Sequence, residues 1–443
     1  MMGFHTEISR EIPMPEDLNR RDFLRTTAAV AASAGPAVIS ARGANDKVNI
    51  GWIGVGTRGN AGIEWLKTAA GNDVQLTAIC DTYDGYIARA KDRVKTIWGN
   101  MPAAYKDYHQ LLADKSIDAV FIMTPEHLHH DMTIAALRAG KNVYIEKPLA
   151  HTIEEGWDII KEWEKSGKIV QVGTQNRSSS LYKKAKEMIQ QGMVGDVHFV
   201  RAFWYRNARP NEPSWRYDIP SEATPENTDW NRFLGPAPKR AWDPHRYFQW
   251  RLYWDYSGGI STDLLVHQTD IVNFMLGKTV PSTCVATGGI YRWTSNDDRD
   301  VPDCLSAVYD YPDKFQLNYS CYLGNDQYGY GEQICGNEGT IEVLNRMDLN
   351  YYKQAPGPRG AATPEAVRNE KVVHLNGPKD FNERDGAINH FRNFVQAVMG
   401  KEKVIAPPTV GQQAAISGHM ATLAYKNRKM VSWDDAARKY HFV

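Results

Sequence analysis

Short apolar runs alternate with helix-length amphipathic segments from residue 48 to about residue 174. The apolar runs are KVNIGWIG, VQLTAICD, DAVFIMTP, KNVYIEKPLA and KIVQVGTQ. Between them, HHDMTIAALRAG and TIEEGWDIIKEWEKSG carry apolar residues at helical spacing and close at Gly140 and Gly167. Strands that alternate with helices in this way predict a doubly wound parallel sheet, the architecture of an α/β protein.

The pattern changes at about residue 180, where strand-like segments follow one another with turns between them. They are VHFVRAFWY, STCVATGGIYRW, CLSAVYDY, FQLNYSCYLG, GYGEQICG and GTIEVL. Because most of them lack a helix-length crossover, the second sheet is predicted to be large, open and mainly antiparallel. The chain is therefore predicted to have a Rossmann domain over residues 45–175 and an α+β domain over residues 176–443.

A glycine-rich turn follows the first predicted strand and precedes a helical pattern. Gly54, Gly56 and Gly59 have the spacing G-x-G-x-x-G in the strand–turn–helix context that binds a dinucleotide. Asp81 ends the second strand, where a carboxylate holds the adenosine ribose hydroxyls and repels a 2′-phosphate. The pattern predicts NAD rather than NADP. The alternative is an ordinary strand-to-helix turn with a surface aspartate.

Further polar residues follow the predicted strands at their carboxyl ends, where ligands bind in such sheets. Thr124 and Pro125 follow one strand, and Glu146-Lys147-Pro148 follows the next. The cluster HLHH at 127–130 has the side chains of a metal site. Adjacent positions on one helix do not converge on an ion, so we predict a helix start there and no metal.

A predicted helix in the second half, within GGISTDLLVHQTDIVNFMLG, carries two polar residues of the types that serve in catalysis. Ile271 and Met275 belong to its apolar pattern and Gly277 ends it. Asp263 and His267 are four residues apart, so they share one face near the helix N-terminus. From the spacing alone, a capping feature with a buried histidine is as good an interpretation as catalysis.

Four motifs occur in the order and spacing of one known family. GVGTRG, TPEHLHH, AGKNVYIEKPLA and GGISTDLLVHQTDIVNF together resemble the Gfo/Idh/MocA oxidoreductases, the family of glucose–fructose oxidoreductase and inositol dehydrogenase. The resemblance runs from about Val48 to the C-terminus, and GNEGTIEV and GHMATLAYKNRKMVSWD are similar to exported members. It implies that Lys147 contacts substrate and nicotinamide, that Asp263 binds substrate and that His267 is the general base.

The chemistry of these side chains suits those implied roles. A histidine with an ordinary pKa near 6.5 can take a hydroxyl proton near neutral pH, and a lysine ammonium stabilises developing alkoxide charge. The predicted cofactor contacts are Gly54, Gly56, Thr57, Arg58, Gly59, Asp81, Thr124, Pro125, His129, Glu146 and Lys147. The predicted substrate contacts are Arg177, Arg251, Trp254 and Asp263.

Aromatic residues are dense between residues 199 and 256, and arginines are interleaved with them. Aromatic faces stack on the C–H faces of sugar rings, while Arg and Asp bind hydroxyls. The alternative is core packing and subunit contact, which aromatics also favour, and we expect both. The resemblance implies a homodimer or homotetramer that associates through the open sheet.

Composition narrows the classes of partner. The chain of 443 residues exceeds one ordinary core. Its 52 Lys and Arg balance 52 Asp and Glu, so charge gives no reason to expect nucleic acid or an anionic membrane as a partner. No apolar run reaches the roughly 18 residues of a spanning helix. Five cysteines without C-x-x-C predict no zinc site; one disulfide and buried free thiols both stay open.

The segment NRRDFLRTTAAVAASAGPAVISARG, from Asn19, has the pattern of a twin-arginine export signal. Paired arginines precede Phe-Leu and a small-residue apolar stretch. The alternative is a basic N-terminal tail. We predict a leader over residues 1–44 and a protein exported, to the periplasm or otherwise, already folded around its cofactor, with no membrane anchor.

The sequence therefore predicts an exported NAD-dependent dehydrogenase of carbohydrate metabolism that oxidises a ring hydroxyl of a sugar, glycoside or polyol. One alternative is an NAD-dependent glycosidase of the same superfamily, which oxidises transiently, eliminates the glycosidic bond and returns the hydride. Glu146-Lys147-Pro148 argues against it, because that strand end differs in those glycosidases. A second alternative is a non-catalytic NAD-binding sensor, against which the joint presence of Lys147, Asp263 and His267 argues.

Overall fold

The computed structural model describes residues 47–209, 212–295, 297–354 and 365–443. The predicted leader, residues 1–44, lies outside the described residues. Two sheets organise the described part, one of six strands and one of ten. Both expectations of fold, a parallel Rossmann sheet followed by a mainly antiparallel sheet, are confirmed.

The first sheet is parallel throughout, with strand order β3-β2-β1-β4-β5-β6. Its strands are β1 (Val48–Ile53), β2 (Val74–Cys80), β3 (Ala103–Tyr105), β4 (Ala119–Ile122), β5 (Asn142–Ile145) and β6 (Val170–Val172). The helices of this half are α1 (Thr57–Ala70), α2 (Asp84–Trp98), α3 (Tyr108–Ala113), α4 (His129–Arg138) and α5 (Ile153–Ser166). The next helix, α6 (Ser180–Gln190), packs into the core of the second half.

The second sheet has the order β14-β13-β12-β11-β7-β10-β9-β8-β15-β16. Only the pairing of β7 with β10 is parallel among its ladders. Its strands are β7 (Val197–Tyr205), β8 (Thr283–Gly289), β9 (Cys304–Tyr311), β10 (Phe315–Tyr322), β11 (Tyr330–Gly336), β12 (Gly339–Leu344), β13 (Asp348–Lys353), β14 (Lys371–Asn376), β15 (Val431–Asp434) and β16 (Lys439–Phe442).

Along β9, β10 and β12 buried positions alternate with less buried ones, so one face of the second sheet is covered. The α-helices that follow β7 along the chain are α7 (Trp230–Leu234), α8 (Pro244–Phe248), α9 (Val266–Leu276), α10 (Glu365–Arg368), α11 (Gly377–Asp380), α12 (Ala387–Val398) and α13 (Pro408–Asn427). Of these, α9 and α13 pack into the core of the second half, whereas α12 packs into the core of the first half. The dense aromatics between residues 199 and 256 largely belong to the core of the second half, as one of the two interpretations predicted.

The core of the first half is completed from the far end of the chain. Phe391 and Phe394 of α12 pack edge-on against Phe121 of β4, with ring centroids 5.0 and 5.3 Å away. Phe121 in turn stacks on Trp52 of β1 at 4.6 Å. Residues 45–175 therefore do not form their core alone, although the domain boundaries themselves stay a prediction.

All five cysteines are free thiols, and Cys80, Cys284 and Cys321 are buried. The open question of a disulfide is thus answered in favour of free thiols. Within the described ranges, no helix combines the length and apolar character that crossing a membrane requires.

Candidate active site

A cleft lies where the carboxyl ends of β1, β2, β4 and β5 meet the second half of the chain. Gly54, Gly56, Thr57 and Arg58 line it from the first half, and Asp263 and His267 line it from the second. Ligands of doubly wound sheets bind at this edge. The structure therefore brings the glycine turn, Asp263 and His267 together in one cleft.

The glycine turn has the geometry of an anion cradle. Gly54 has a φ of +88°, which disfavours a side chain. A Cβ at Gly59 would lie 2.0 Å from the Gly54 carbonyl oxygen, so this glycine permits close packing and does not itself line the cleft. Helix α1 begins at Thr57 with no side-chain cap and no acidic residue in its first turn. Its free N–H groups fit the pyrophosphate of a dinucleotide.

Asp81 lies in the cleft with part of its hydrogen-bonding capacity already used. Its Oδ2 accepts from the Val55 amide at 2.8 Å, and its Oδ1 accepts from the Tyr83 amide and the Tyr247 hydroxyl, each at 3.1 Å. Burial raises the pKa of Asp81 against these hydrogen bonds. A carboxylate has about four acceptor sites, so one ribose hydroxyl can still be accepted. These residues fit NAD.

Lys147 joins the two halves of the chain at what we call the lysine end of the cleft: Lys147, Arg251, Asp263 and His267. Its Nζ donates to Asp263 Oδ1 at 3.0 Å and to the Asp263 carbonyl at 2.6 Å. Arg251 Nε donates to the same Oδ1 at 3.2 Å. Burial alone would raise the pKa of Asp263, but Lys147 and Arg251 outweigh it and hold that pKa well below its usual range.

Asp263 lies in a π-helical turn, Ser261–Leu265, that runs directly into α9. π-turns are rare and occur often at functional sites. Lys147 and Arg251 both donate to Oδ1 of Asp263, so Oδ2 is left to accept from a ligand hydroxyl.

His267 lies in the first turn of α9, with 7% of the residue exposed. Burial lowers its pKa well below the ordinary value, and the charges of Arg346 and Lys147 lower it further. The imidazole is therefore neutral at pH 7, as a general base must be. Its Nδ1 is buried without a hydrogen-bond partner, which leaves Nε2 as the nitrogen that can reach a ligand.

Glu146 is buried and bonded to the glycine turn. Its Oε1 accepts from Arg58 Nε at 3.0 Å. Arg58 also stacks on the Trp65 ring at 4.6 Å. The pair fixes the end of β5, and hence Lys147, relative to the turn.

Glu126 lines the cleft, and the sequence analysis did not single it out. Its carboxylate, 2% exposed, accepts from the Thr262 hydroxyl at 2.8 Å and from Ser257 Oγ and the Gly258 amide at 3.0 Å each. These groups precede Asp263 directly. Its position after Thr-Pro was the available signal, but no sequence pattern shows what it contacts.

Three predicted contacts lie away from the cleft. His129 is fully buried and bonds to the carbonyl oxygens of Pro148 and Thr124, at 2.8 and 3.1 Å, so it supports the strand ends. Arg177 forms a buried ion pair with Asp270 at 2.8 Å. Trp254 packs against Tyr425, with ring centroids 6.3 Å apart. None of the three is among the cleft-lining residues, so the structure does not support their assignment as direct contacts.

The histidines of HLHH have separate partners. His127 Nε2 lies 2.8 Å from the Phe233 carbonyl oxygen, whereas His130 Nδ1 lies 2.8 Å from Asp131 Oδ1. With His129 turned toward Pro148, the side chains do not converge. In the described ranges, no three His, Cys, Asp or Glu side chains are arranged to hold a metal ion.

Sequence reasoning also missed Tyr330 and Arg346, which line the cleft beside Trp204. Tyr330 stacks on Trp204 with centroids 4.5 Å apart, and the Arg346 guanidinium lies 5.1 Å from the Trp204 ring centroid. Trp204 lies 5.9 Å from the His267 ring. These residues form an aromatic and cationic wall next to the lysine end.

Comparison with known proteins gives similarity over most of the chain. A myo-inositol 2-dehydrogenase of Thermotoga maritima is 28% identical over 396 residues, 88% of this chain and 99% of that protein. A glycosyl hydrolase family 109 protein of Shewanella baltica is 32% identical over 168 residues, 37% of this chain and 36% of that protein.

Solved structures share the fold. A levoglucosan dehydrogenase in complex with NADH and levoglucosan superposes with a TM-score of 0.64 at 20% identity, covering 90% of this chain and 100% of that one. At this identity the likeness concerns the fold.

Family models match three parts of the chain. Residues 17–37 match the twin-arginine translocation signal. Residues 48–174 match the oxidoreductase family with an NAD-binding Rossmann fold, and residues 229–432 match the C-terminal α/β domain of the same family. The two enzyme matches cover most of the chain, which therefore belongs to the Gfo/Idh/MocA family of NAD-dependent oxidoreductases.

Proposed function

We propose that the protein oxidises a ring hydroxyl of a sugar, glycoside or polyol with NAD as hydride acceptor. The observation that carries the proposal is the lysine end of the cleft, where Lys147 and Asp263 lie 3.0 Å apart beside His267. A neutral base, an ammonium and a carboxylate with one free oxygen suit the oxidation of a secondary alcohol.

Each side chain has a distinct task in this proposal. His267 Nε2 takes the hydroxyl proton as the C–H hydrogen leaves with its electron pair, which converts the alcohol to a ketone. Lys147 Nζ stabilises the oxygen while negative charge develops on it. Asp263 Oδ2 accepts from a neighbouring hydroxyl and thereby fixes which carbon faces the acceptor. NAD, when bound, supplies the hydride acceptor.

The residues that would contact NAD belong to the glycine turn and to the ends of the strands. Gly54, Gly56 and Thr57 would receive the pyrophosphate, and Asp81 would accept a ribose hydroxyl. Thr124 and Pro125 line the cleft between them and Lys147. The myo-inositol 2-dehydrogenase relative and the levoglucosan dehydrogenase fold neighbour support a carbohydrate-like substrate.

The test is the absorbance at 340 nm of the purified protein while a library of sugars, glycosides and polyols is added. We expect at least one member to reduce bound or added NAD. Lys147→Met and His267→Ala should abolish that signal, while Lys141→Met should keep it. Lys141 is the matched control because its Nζ donates to the backbone carbonyls of Asp114 and Ile117, and none of these residues lines the cleft. Turnover by His267→Ala at the wild-type rate would refute the assignment.

The glycosidase alternative is favoured by one observation. Glycosyl hydrolase family 109 proteins match 37% to 47% of this chain at 30% to 32% identity. Hydrolysis of a chromogenic glycoside without net NADH formation would favour this alternative over the dehydrogenase.

Export is inferred from residues 17–37, which match a twin-arginine signal and lie outside the described residues. We infer that the protein folds around NAD before export and works in the periplasm. No comparable NAD pool exists there, so retention is required. With an association rate constant on the order of 10⁶ M⁻¹s⁻¹, a Kd of about 1 nM gives escape within minutes. Binding must therefore be tighter, and a second carbonyl substrate must take the hydride back.

The retention proposal is tested on protein isolated from periplasm without added nucleotide. Denaturation should release close to one NAD per chain. Substoichiometric NAD, with activity restored only by external NAD, would contradict it.

A homodimer or homotetramer is part of the proposal as well. Phe199 on β7 and Val285 on β8 are 38% and 45% exposed on the open sheet, where a second subunit would cover them. Light scattering coupled to size exclusion measures the mass, and a monomer at micromolar concentration would refute this part.

A further inference from the structure

Positive charge exceeds negative charge next to the lysine end of the cleft. Lys147 and Arg251 share the carboxylate of Asp263. Arg206 and Arg346 also line the cleft. Within the part of the chain that the structure describes, neither of these two guanidiniums forms an ion pair with a carboxylate.

Arg346 is placed there by a tight turn. It lies between β12 and β13, and both Asn345 and Arg346 have left-handed φ angles, of +52° and +58°. Residues other than glycine adopt this region at a cost. The turn brings the guanidinium beside Trp204 and Tyr330, at 5.1 and 5.5 Å from their ring centroids.

The Nε and Nη2 atoms of Arg346 are buried and have no acceptor. These two donors belong to the same edge of the guanidinium, and such an edge binds a carboxylate through two parallel hydrogen bonds. A buried charge without a partner is costly, so a ligand group that compensates it gains affinity.

Glu332 is a buried carboxylate that interacts electrostatically with Arg346, and it does not replace a ligand. Its Oε2 accepts from the Tyr182 hydroxyl at 2.7 Å, and its Oε1 has no partner. Burial raises the pKa of Glu332 to about 7, although the charge of Arg346 lowers it. Glu332 is therefore only partly ionised at neutral pH.

Arg206 adds a second unpaired cation. It is exposed at the end of β7 and its guanidinium lies 5.0 Å from the Trp204 ring centroid. Its charge contributes to the low pKa of Asp263. Two arginines thus flank the aromatic wall that a sugar ring would stack against.

We propose that the substrate of this site is an anionic sugar, a hexuronate or hexuronoside, whose carboxylate binds Arg346 with help from Arg206. The proposal rests on the proposed function, because it names the substrate class of the same cleft. A neutral hydroxymethyl group would leave both arginines unpaired, whereas a carboxylate pairs with the free edge of Arg346.

The experiment compares each uronate with its neutral isostere. NAD-loaded protein is titrated with D-galacturonate and D-galacturonamide, and with D-glucuronate and D-glucuronamide. Quenching of tryptophan fluorescence reports binding, and absorbance at 340 nm reports turnover. We expect at least one carboxylate to bind about 10- to 100-fold tighter than its amide, since charge-assisted hydrogen bonds have this strength.

Variants assign the preference to a residue. Arg346→Met should reduce the carboxylate-to-amide ratio to near one, chiefly by weakening carboxylate binding, and Arg346→Lys should recover part of the ratio. Arg201→Met is the matched control, because Arg201 is exposed on β7 and stacks on Phe203, outside the cleft lining. If Glu332→Gln lowers the carboxylate-to-amide ratio to near one as Arg346→Met does, the role of Arg346 is to balance the charge of Glu332, and the proposal is overturned.

Further results would overturn the proposal. Equal binding of acid and amide in both pairs, or binding of neither, refutes an anionic substrate. Stronger binding of D-glucose 6-phosphate than of any uronate refutes the carboxylate. Reduction of NAD by neutral sugars alone would leave the dehydrogenase function standing while the proposed substrate class fails. If carboxylates bind selectively but no substrate reduces NAD, the proposed dehydrogenase function is refuted instead.

Discussion

Removal of the Glu126 carboxylate should weaken the fold and misalign the lysine end of the cleft. Glu126 comes from the strand ends of the first half and accepts hydrogen bonds from Ser257, Gly258 and Thr262. Those residues lead directly into the π-turn that carries Asp263. Glu126→Ala would leave two hydroxyls and one amide buried without their acceptor.

The magnitude follows from this set of contacts. Hydrogen bonds to a charged group contribute about 1.5–3 kcal/mol each, so loss of the three from Ser257, Gly258 and Thr262 would cost about 4.5–9 kcal/mol if nothing replaced the carboxylate. We expect a loss of about 4 kcal/mol, near the lower end, because water can enter the space left by the side chain. Glu126→Gln keeps the shape and one acceptor, so its cost should be about 1–2 kcal/mol. Turnover should fall by about 10²-fold if Asp263 moves by about 1 Å.

The assay is the midpoint of thermal unfolding together with kcat for the substrate found at 340 nm. Glu64→Ala is the control, since Glu64 pairs with Arg93 on the surface with 61% of its side chain exposed. Such pairs contribute about 0–1 kcal/mol. The expected order of midpoints is wild type and Glu64→Ala together, then Glu126→Gln, then Glu126→Ala. Wild-type stability and turnover in Glu126→Ala would refute the reasoning.

Three further predictions concern the ligands of the cleft. Lys147→Met should lower kcat by about 10²–10⁴-fold, while the NAD content of the protein should stay within a few-fold of the wild-type content. Weaker NAD binding with an unchanged kcat would contradict the catalytic role of Lys147. Because the pKa of His267 is low and the base is neutral above its pKa, kcat/KM should fall only at pH values below 6.5, the ordinary pKa of histidine. Arg346→Met removes a positive charge that lowers this pKa, so the fall of kcat/KM at acid pH should begin at a higher pH. An unchanged pH profile would contradict the electrostatic coupling of Arg346 to His267. Asp81→Ser should weaken NAD binding and relieve repulsion of NADP, whereas Tyr247→Phe, which removes only the hydroxyl at 3.1 Å, should not change the NAD-to-NADP ratio.

The sequence was sufficient for elements whose pattern is local. β1, α1 and β2 follow from the apolar runs around the glycine turn, and their parallel pairing follows from the helix between them. β3 was missed because it is a three-residue edge strand without a buried position. β15 and β16 were missed because they are short and close the far edge of the sheet after a long helix.

Residues whose role depends on distant partners could not be predicted. Arg177 has the character of a substrate contact, but Asp270, 93 residues away, takes its guanidinium. Arg346 reaches the cleft only because the turn between β12 and β13 adopts left-handed angles. No periodicity in the sequence encodes either contact. The π-turn at Asp263 likewise replaces the regular helical face that four-residue spacing predicted.

The cleft is held at both of its ends by bonds between the two halves of the chain. Near the glycine turn, the Tyr247 hydroxyl donates to Asp81 and bonds to Thr82 Oγ1 at 2.8 Å. Near the lysine end, Glu126 holds Ser257 and Thr262. Rotation of one half against the other would break buried, charge-assisted hydrogen bonds at both places. The fold thus favours a preformed cleft over one that opens widely, and the retention of NAD that we propose would rest on these contacts between the two halves.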